Sequence, residues 1–175
     1  MAEKMKVCVI GASGVGKTSL VARYVNSVFS EDYLRTIGVK IDSRRVARGD
    51  RVVDLILWDL SGEDEFQNMQ PAYLRGAAGY LLVIDGTRVE TLDTAVALEA
   101  RARETIGGAP FIVLINKADL EESWEVGPPQ RALLAEKGWP LIETSAKTGE
   151  GVEHAFVALL DAILARRESH RLGAE

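Results

Sequence analysis

Eight residues near the N-terminus, Gly11-Ala-Ser-Gly-Val-Gly-Lys-Thr18, have the make-up of a phosphate grip. Their spacing fits G-x-x-x-x-G-K-[ST], with the apolar run Val7-Cys-Val-Ile10 before them and an amphipathic segment after. A loop that wraps a phosphate chain must aim successive backbone N–H groups inward, through conformations open to Gly11, Gly14 and Gly16. Ser13, Gly14, Val15 and Gly16 would supply that backbone. Lys17, Thr18 and Ser19 would open a helix whose positive end faces the phosphates. Lys17 adds a point charge against the outer phosphates, and the Thr18 hydroxyl suits Mg²⁺.

Three further groups of residues could complete such a site. Asp59 ends the apolar run Leu55-Ile-Leu-Trp58 and is followed by Leu60-Ser-Gly62. A carboxylate there can orient a Mg²⁺-bound water, and Gly62 offers an N–H that can approach the outermost phosphate. Thr36, in Phe29-Ser-Glu-Asp-Tyr33-Leu-Arg-Thr36, has a hydroxyl and carbonyl suited to the metal and the third phosphate. Asn116-Lys-Ala-Asp119 follows the run Phe111–Ile115. A carboxylate accepts from guanine N1–H and its 2-amino group, a donor pair that adenine lacks, so Asp119 would select guanine. Lys117 can lay its stem over the base, and Asn116 can tie this loop to the phosphate loop. Glu143-Thr-Ser145-Ala146-Lys147 could then bring backbone N–H groups to the guanine carbonyl.

These groups need a scaffold that brings strand ends together. Apolar runs alternate with amphipathic segments throughout, the pattern of a parallel sheet covered by helices. Strands are expected near 4–10, 39–47, 51–58, 78–84, 110–116 and 140–143, and helices near 17–27, 65–75, 90–106, 129–137 and 151–166. The turn Arg48-Gly-Asp50 makes the second and third strands an antiparallel hairpin at one edge. Ligands on such sheets bind beyond the carboxyl ends of the strands, where every group above falls.

Composition narrows the classes. The 175 residues suffice for one domain with a substantial core, and 47% apolar with 27% charged residues suits a globular protein. A formal charge of −5 argues against non-specific nucleic-acid binding. Cys8 is the only cysteine, so no intramolecular disulfide can form, and a reducing, cytoplasmic setting is expected. No run approaches the length of a membrane span, and no signal-peptide core opens the chain. The last residues, Arg171-Leu-Gly-Ala-Glu175, hold no cysteine, so no prenyl anchor is expected.

Taken together the motifs resemble those of a Ras-superfamily small GTPase over about residues 5–166. Thr36-Ile-Gly-Val39, Trp58-Asp59 and Tyr73-Leu-Arg-Gly-Ala77 are most similar to the Rab branch. The resemblance implies a P-loop NTPase three-layer α/β/α fold: a six-stranded, mostly parallel sheet with one antiparallel edge strand and five helices, the whole of 1–175 forming one domain. It implies GTP/GDP and Mg²⁺ as ligands. Lys17, Thr18, Thr36, Asp59 and Gly62 would stand at phosphate and metal. Asn116, Lys117, Asp119, Ser145, Ala146 and Lys147 would surround guanine, with Phe29 against the base and Tyr33 over the phosphates. Effectors, activating proteins and exchange factors would engage the loops at 30–41 and 60–75, with the chain a monomer and membranes reached only through partners. Ile37, Val39, Phe66, Met69 and Leu74 are the apolar candidates for an exposed contact surface. Trp58 and Tyr73 match two aromatics of the Rab effector surface, and Ile41 occupies the third position.

One residue departs from the family pattern. Asp-x-x-Gly-Gln, whose glutamine orients the attacking water, here reads Asp59-Leu-Ser-Gly62-Glu63. Glutamate keeps one acceptor, so it can still align water. It also loses the amide donor and adds a charge near the triphosphate, a repulsion of about 1–4 kcal/mol at partly screened distance. Two readings follow: a switch with slow, partner-dependent hydrolysis, or a GTP-dependent binding module with almost none. Arg35, beside Thr36, reads as a surface charge rather than a catalytic arginine, since adjacent side chains in an extended segment point to opposite sides. A small-molecule kinase is the remaining alternative for the phosphate loop, but nothing here resembles an acceptor-binding lid.

Overall fold

The computed structural model describes residues 1–27, 38–61 and 71–174. In chain order these form β1 (Glu3–Gly11), α1 (Lys17–Asn26), β2 (Gly38–Arg48), β3 (Arg51–Ser61), α2 (Pro71–Leu74) and β4 (Gly79–Asp85). Then follow α3 (Glu90–Ile106), β5 (Phe111–Asn116), a 3₁₀ turn (Ala118–Ser123), α4 (Pro128–Glu136), β6 (Leu141–Glu143) and α5 (Val152–Gly173). The six strands form one sheet in the order β2-β3-β1-β4-β5-β6. Only β2 runs antiparallel, paired with β3 from Gly38↔Ser61 to Arg48↔Arg51; the other pairs are parallel.

The centre of the sheet is buried on both faces, which is why its central strands read as unbroken apolar runs: every residue of β4 is buried. Alternation along β1 sends Met5, Val7 and Val9 to one face, where Leu20, Val21 and Tyr24 of α1 and Phe156, Leu159, Leu160 and Ile163 of α5 cover them. Cys8 and Ile10 face the other layer, with Leu92, Ala95, Leu98 and Ala102 of α3 and Leu134 of α4. This is the expected three-layer arrangement.

Two expectations are corrected. Leu74 is fully buried in the second cluster and presents nothing to a partner. Helix α5 continues to Gly173 rather than stopping at 166. Its apolar stripe ends near Leu164, but Ala, Arg and Glu favour helix without a core face, and ion pairs of Arg167 with Glu3 and of Arg171 and Arg51 with Glu168 line the added turns. Among the described residues, no helix is long and apolar enough to cross a membrane.

Candidate functional site

Parallel pairing stacks the strand ends at one edge of the sheet. Val9 lies opposite Asp59, Gly11 opposite Val83, Asp85 opposite Asn116 and Ile115 opposite Glu143. Asp59 and Asn116 therefore reach the same rim near the ends of their strands, as does the loop that follows Gly11.

The loop from Gly11 to Gly16 turns over this rim into α1. Gly14 and Gly16 take φ of 74° and 105°, left-handed values that L side chains rarely adopt. A Cβ at Gly16 would stand 2.3 Å from Asn116 Nδ2. The Lys17 side chain is buried, and its Nζ donates to the carbonyls of Gly11 and Ala12, each at 2.8 Å. Thr18 Oγ1 donates to Asp59 Oδ2 at 2.5 Å. Asp59 is fully buried, and its Oδ1 has no hydrogen-bond partner among the described residues. Burial lifts its carboxyl above the usual carboxylate range, while the Thr18 hydrogen bond and the Lys17 charge pull it back. A buried carboxylate with one idle oxygen beside a hydroxyl is a set of hard donors with a place for a small divalent cation, and it fits Mg²⁺.

The base-side loops are joined to this loop by one amide. Asn116 Nδ2 donates to the Val15 carbonyl at 3.0 Å, and its Oδ1 accepts from Thr144 Oγ1 at 3.1 Å and Ala146 N at 3.3 Å. Lys117 takes a left-handed conformation, φ 70°, and its carbonyl accepts from Trp124 Nε1 at 2.8 Å. Asp119 accepts from Ser145 Oγ at 2.7 Å, which fixes one carboxylate oxygen. Thus Ser13, Gly14, Val15, Gly16, Lys17, Thr18, Asp59, Asn116, Lys117, Asp119, Ser145 and Ala146 gather at one rim, with Ser19 the third residue of α1 and Lys147 exposed beside Ala146. Phe29, Tyr33, Arg35, Thr36, Gly62 and Glu63 lie outside the described residues, as do Ile37, Phe66 and Met69.

Several contributors carry no motif. Asp85, fully buried at the end of β4, accepts from Lys117 Nζ at 2.6 Å, Thr87 N at 2.9 Å, Thr87 Oγ1 at 2.7 Å and Arg88 Nε at 3.0 Å. Left to burial its carboxyl would rise, but these donors outweigh that and hold it below its ordinary value of 3.8. Arg23 on α1 donates Nε to the Ala146 carbonyl at 2.8 Å and Nη2 to that of Lys147. Gly86 admits the Trp124 indole, which a Cβ would meet at 2.2 Å. Only Asp85 left a trace that sequence reading could use, an acid closing a buried run as Asp59 does. Across the β2–β3 pair, Trp58 is half-buried under Lys6, whose Nζ lies 3.8 Å from the ring centroid, and Ile41 is 53% exposed.

Residues 6–165 match the Ras family. The chain belongs to that family. Among its relatives, the Ypt/Rab-type GTPase ypt7 of Pyricularia oryzae is 38% identical over 180 residues, 98% of this chain and 87% of that protein. The Ras-related protein Rab-4B of Homo sapiens is 38% identical over 173 residues, covering 97% of this chain and 81% of that protein. The Ypt/Rab-type GTPase Rab7 of Gibberella zeae is 39% identical over 180 residues, with coverage of 98% and 87%. The chain is accordingly a Rab-like small GTPase, and its sheet with one antiparallel pair is the fold expected of one.

Proposed function

We propose that this small GTPase binds GTP and GDP with Mg²⁺ and hydrolyses GTP slowly until a partner protein accelerates the reaction. The observation that carries the reading is the Asn116 bridge. A buried amide that joins a phosphate-type loop to a purine-type loop fits a ligand spanning both. In this reading the N–H groups of Gly14, Val15 and Gly16 cradle the phosphates with Ser13 and Ser19 beside them, and Lys17 offsets their charge. Thr18, Thr36 and Asp59 would hold Mg²⁺, whose charge would offset that of the outer phosphates. Asp119 selects guanine, Lys117 and Phe29 flank the base, Ser145, Ala146 and Lys147 close over it, and Tyr33 and Gly62 cover the third phosphate. Effectors, activators and exchange factors read the loops at 30–41 and 60–75.

Glu63 sets the rate. With no amide donor at the position that aligns water, single-turnover hydrolysis by the purified chain is slow, and Glu63→Gln accelerates it. A fast parent slowed by that substitution would overturn this assignment. The same residue favours a second reading, a GTP-dependent binding module with scarcely any hydrolysis. Turnover followed over hours with bound nucleotide identified separates the two, because the module retains GTP where the switch accumulates GDP.

A further inference from the structure

Arg88 belongs to no nucleotide motif, yet it spans the site. It stands on a rigid footing. Asp85 N donates to Thr91 Oγ1 at 3.0 Å, the same hydroxyl donates to the Arg88 carbonyl at 2.7 Å, and Thr87 occupies Asp85 Oδ1. From this footing Arg88 Nε donates to the buried Asp85 Oδ2, which also receives Lys117 Nζ. The other arm of the fork, Nη2, donates to the carbonyl of Ser13 at 2.6 Å. The phosphate loop, whose Gly11 and Ala12 carbonyls take Lys17 Nζ, is therefore held from outside at two more carbonyls, Ser13 by Arg88 and Val15 by Asn116.

Those carbonyls lie on either side of Gly14. In a trans peptide the C=O and the following N–H point in opposite directions, and no peptide bond of the described chain is cis. Drawing the Ser13 carbonyl toward Arg88 therefore turns the Gly14 N–H away from Arg88. Holding the Val15 carbonyl does the same for the Gly16 N–H. We propose that Arg88 is a positioning residue for the phosphate cradle, acting through Ser13 to aim the Gly14 amide at the nucleotide's second phosphate. The inference rests on the nucleotide-site reading above. It requires the planar fork, because a lysine reaches Asp85 or Ser13 but not both.

The experiment compares GDP with GMP, which lacks that phosphate, on the full chain with Mg²⁺. Arg88→Ala loses about tenfold or more in GDP affinity, the scale of one charge-assisted hydrogen bond, while GMP affinity stays within about twofold of the parent's. Arg88→Lys, which keeps the charge beside Asp85 if the alanine variant folds poorly, shows the same selective loss. In the GDP complex the Gly14 amide proton resonance moves in both variants and that of Gly16 does not. Equal losses for GDP and GMP would assign Arg88 a general structural role and overturn the proposal, and so would an unchanged GDP affinity in either variant. A parent chain that binds neither nucleotide would instead overturn the site reading itself.

Discussion

Asp85 draws Thr87, Arg88 and Lys117 onto one buried carboxylate, and its ionisation can be followed. Its donors hold the folded-state carboxyl below 3.8, so unfolding raises its pKa back to the ordinary value. The stabilisation is complete above that ordinary value and is lost as pH falls through the lowered one. Asp85→Asn is therefore less stable than the parent at neutral pH. Below about pH 4 its stability declines less steeply, and the two urea-denaturation profiles converge in acid. Parallel pH profiles would show that Asp85 titrates normally. The substitution also removes the negative charge that Lys117 and Arg88 share at Oδ2.

Between elements, the contact of α1 with α5 shows how a core can carry an unmet cost. Tyr24 and Phe156 stack with centroids 3.8 Å apart and planes 4° from parallel, and the Arg44 guanidinium lies 4.1 Å from the Tyr24 ring centroid. The Tyr24 hydroxyl is buried without a hydrogen-bond partner among the described residues. Removing an unsatisfied buried hydroxyl while keeping the ring relieves about 1–3 kcal/mol, so Tyr24→Phe raises the denaturation midpoint; a lower midpoint would mean the hydroxyl is satisfied in solution. The elements themselves were largely legible in the sequence because two-sided burial writes itself as apolar runs, as in Phe111–Ile115, and one-sided burial as the spacing of Phe156, Leu159, Leu160 and Ile163. The last turns of α5 were not legible, being stabilised by charges that leave no periodic stripe. Nor were Arg23 and Arg88, because both grip backbone carbonyls, which any residue supplies and no motif marks. The gathering of the motif residues at one rim was legible for the opposite reason: the roles proposed for them, phosphate loop, metal hydroxyl and purine-reading acid, each demand particular side chains.

At the scale of the molecule, the carboxyl ends of the parallel strands meet at one rim, so ligand binding and global stability are coupled. A nucleotide that contacts the loops after β1, β3, β5 and β6 stabilises the fold by mass action, about 2.7 kcal/mol at a hundredfold excess over Kd. For a chain of this size that corresponds to a midpoint roughly 5–10 °C higher. Thermal melts with GDP and Mg²⁺ should show this shift, chelation of the metal should shrink it, and ATP should not reproduce it. Stabilisation by ATP equal to that by GDP would contradict the guanine assignment. The coupling has a further consequence through α1. Its first turn presents Thr18 to the metal side, and Arg23, little more than one turn later, holds the loop at Ala146 and Lys147. Ten residues thus act as a tie rod across the bed of the ligand. A regulator that prised up this one rod would slacken both ends of the pocket in a single movement, with no need to attack base and tail separately.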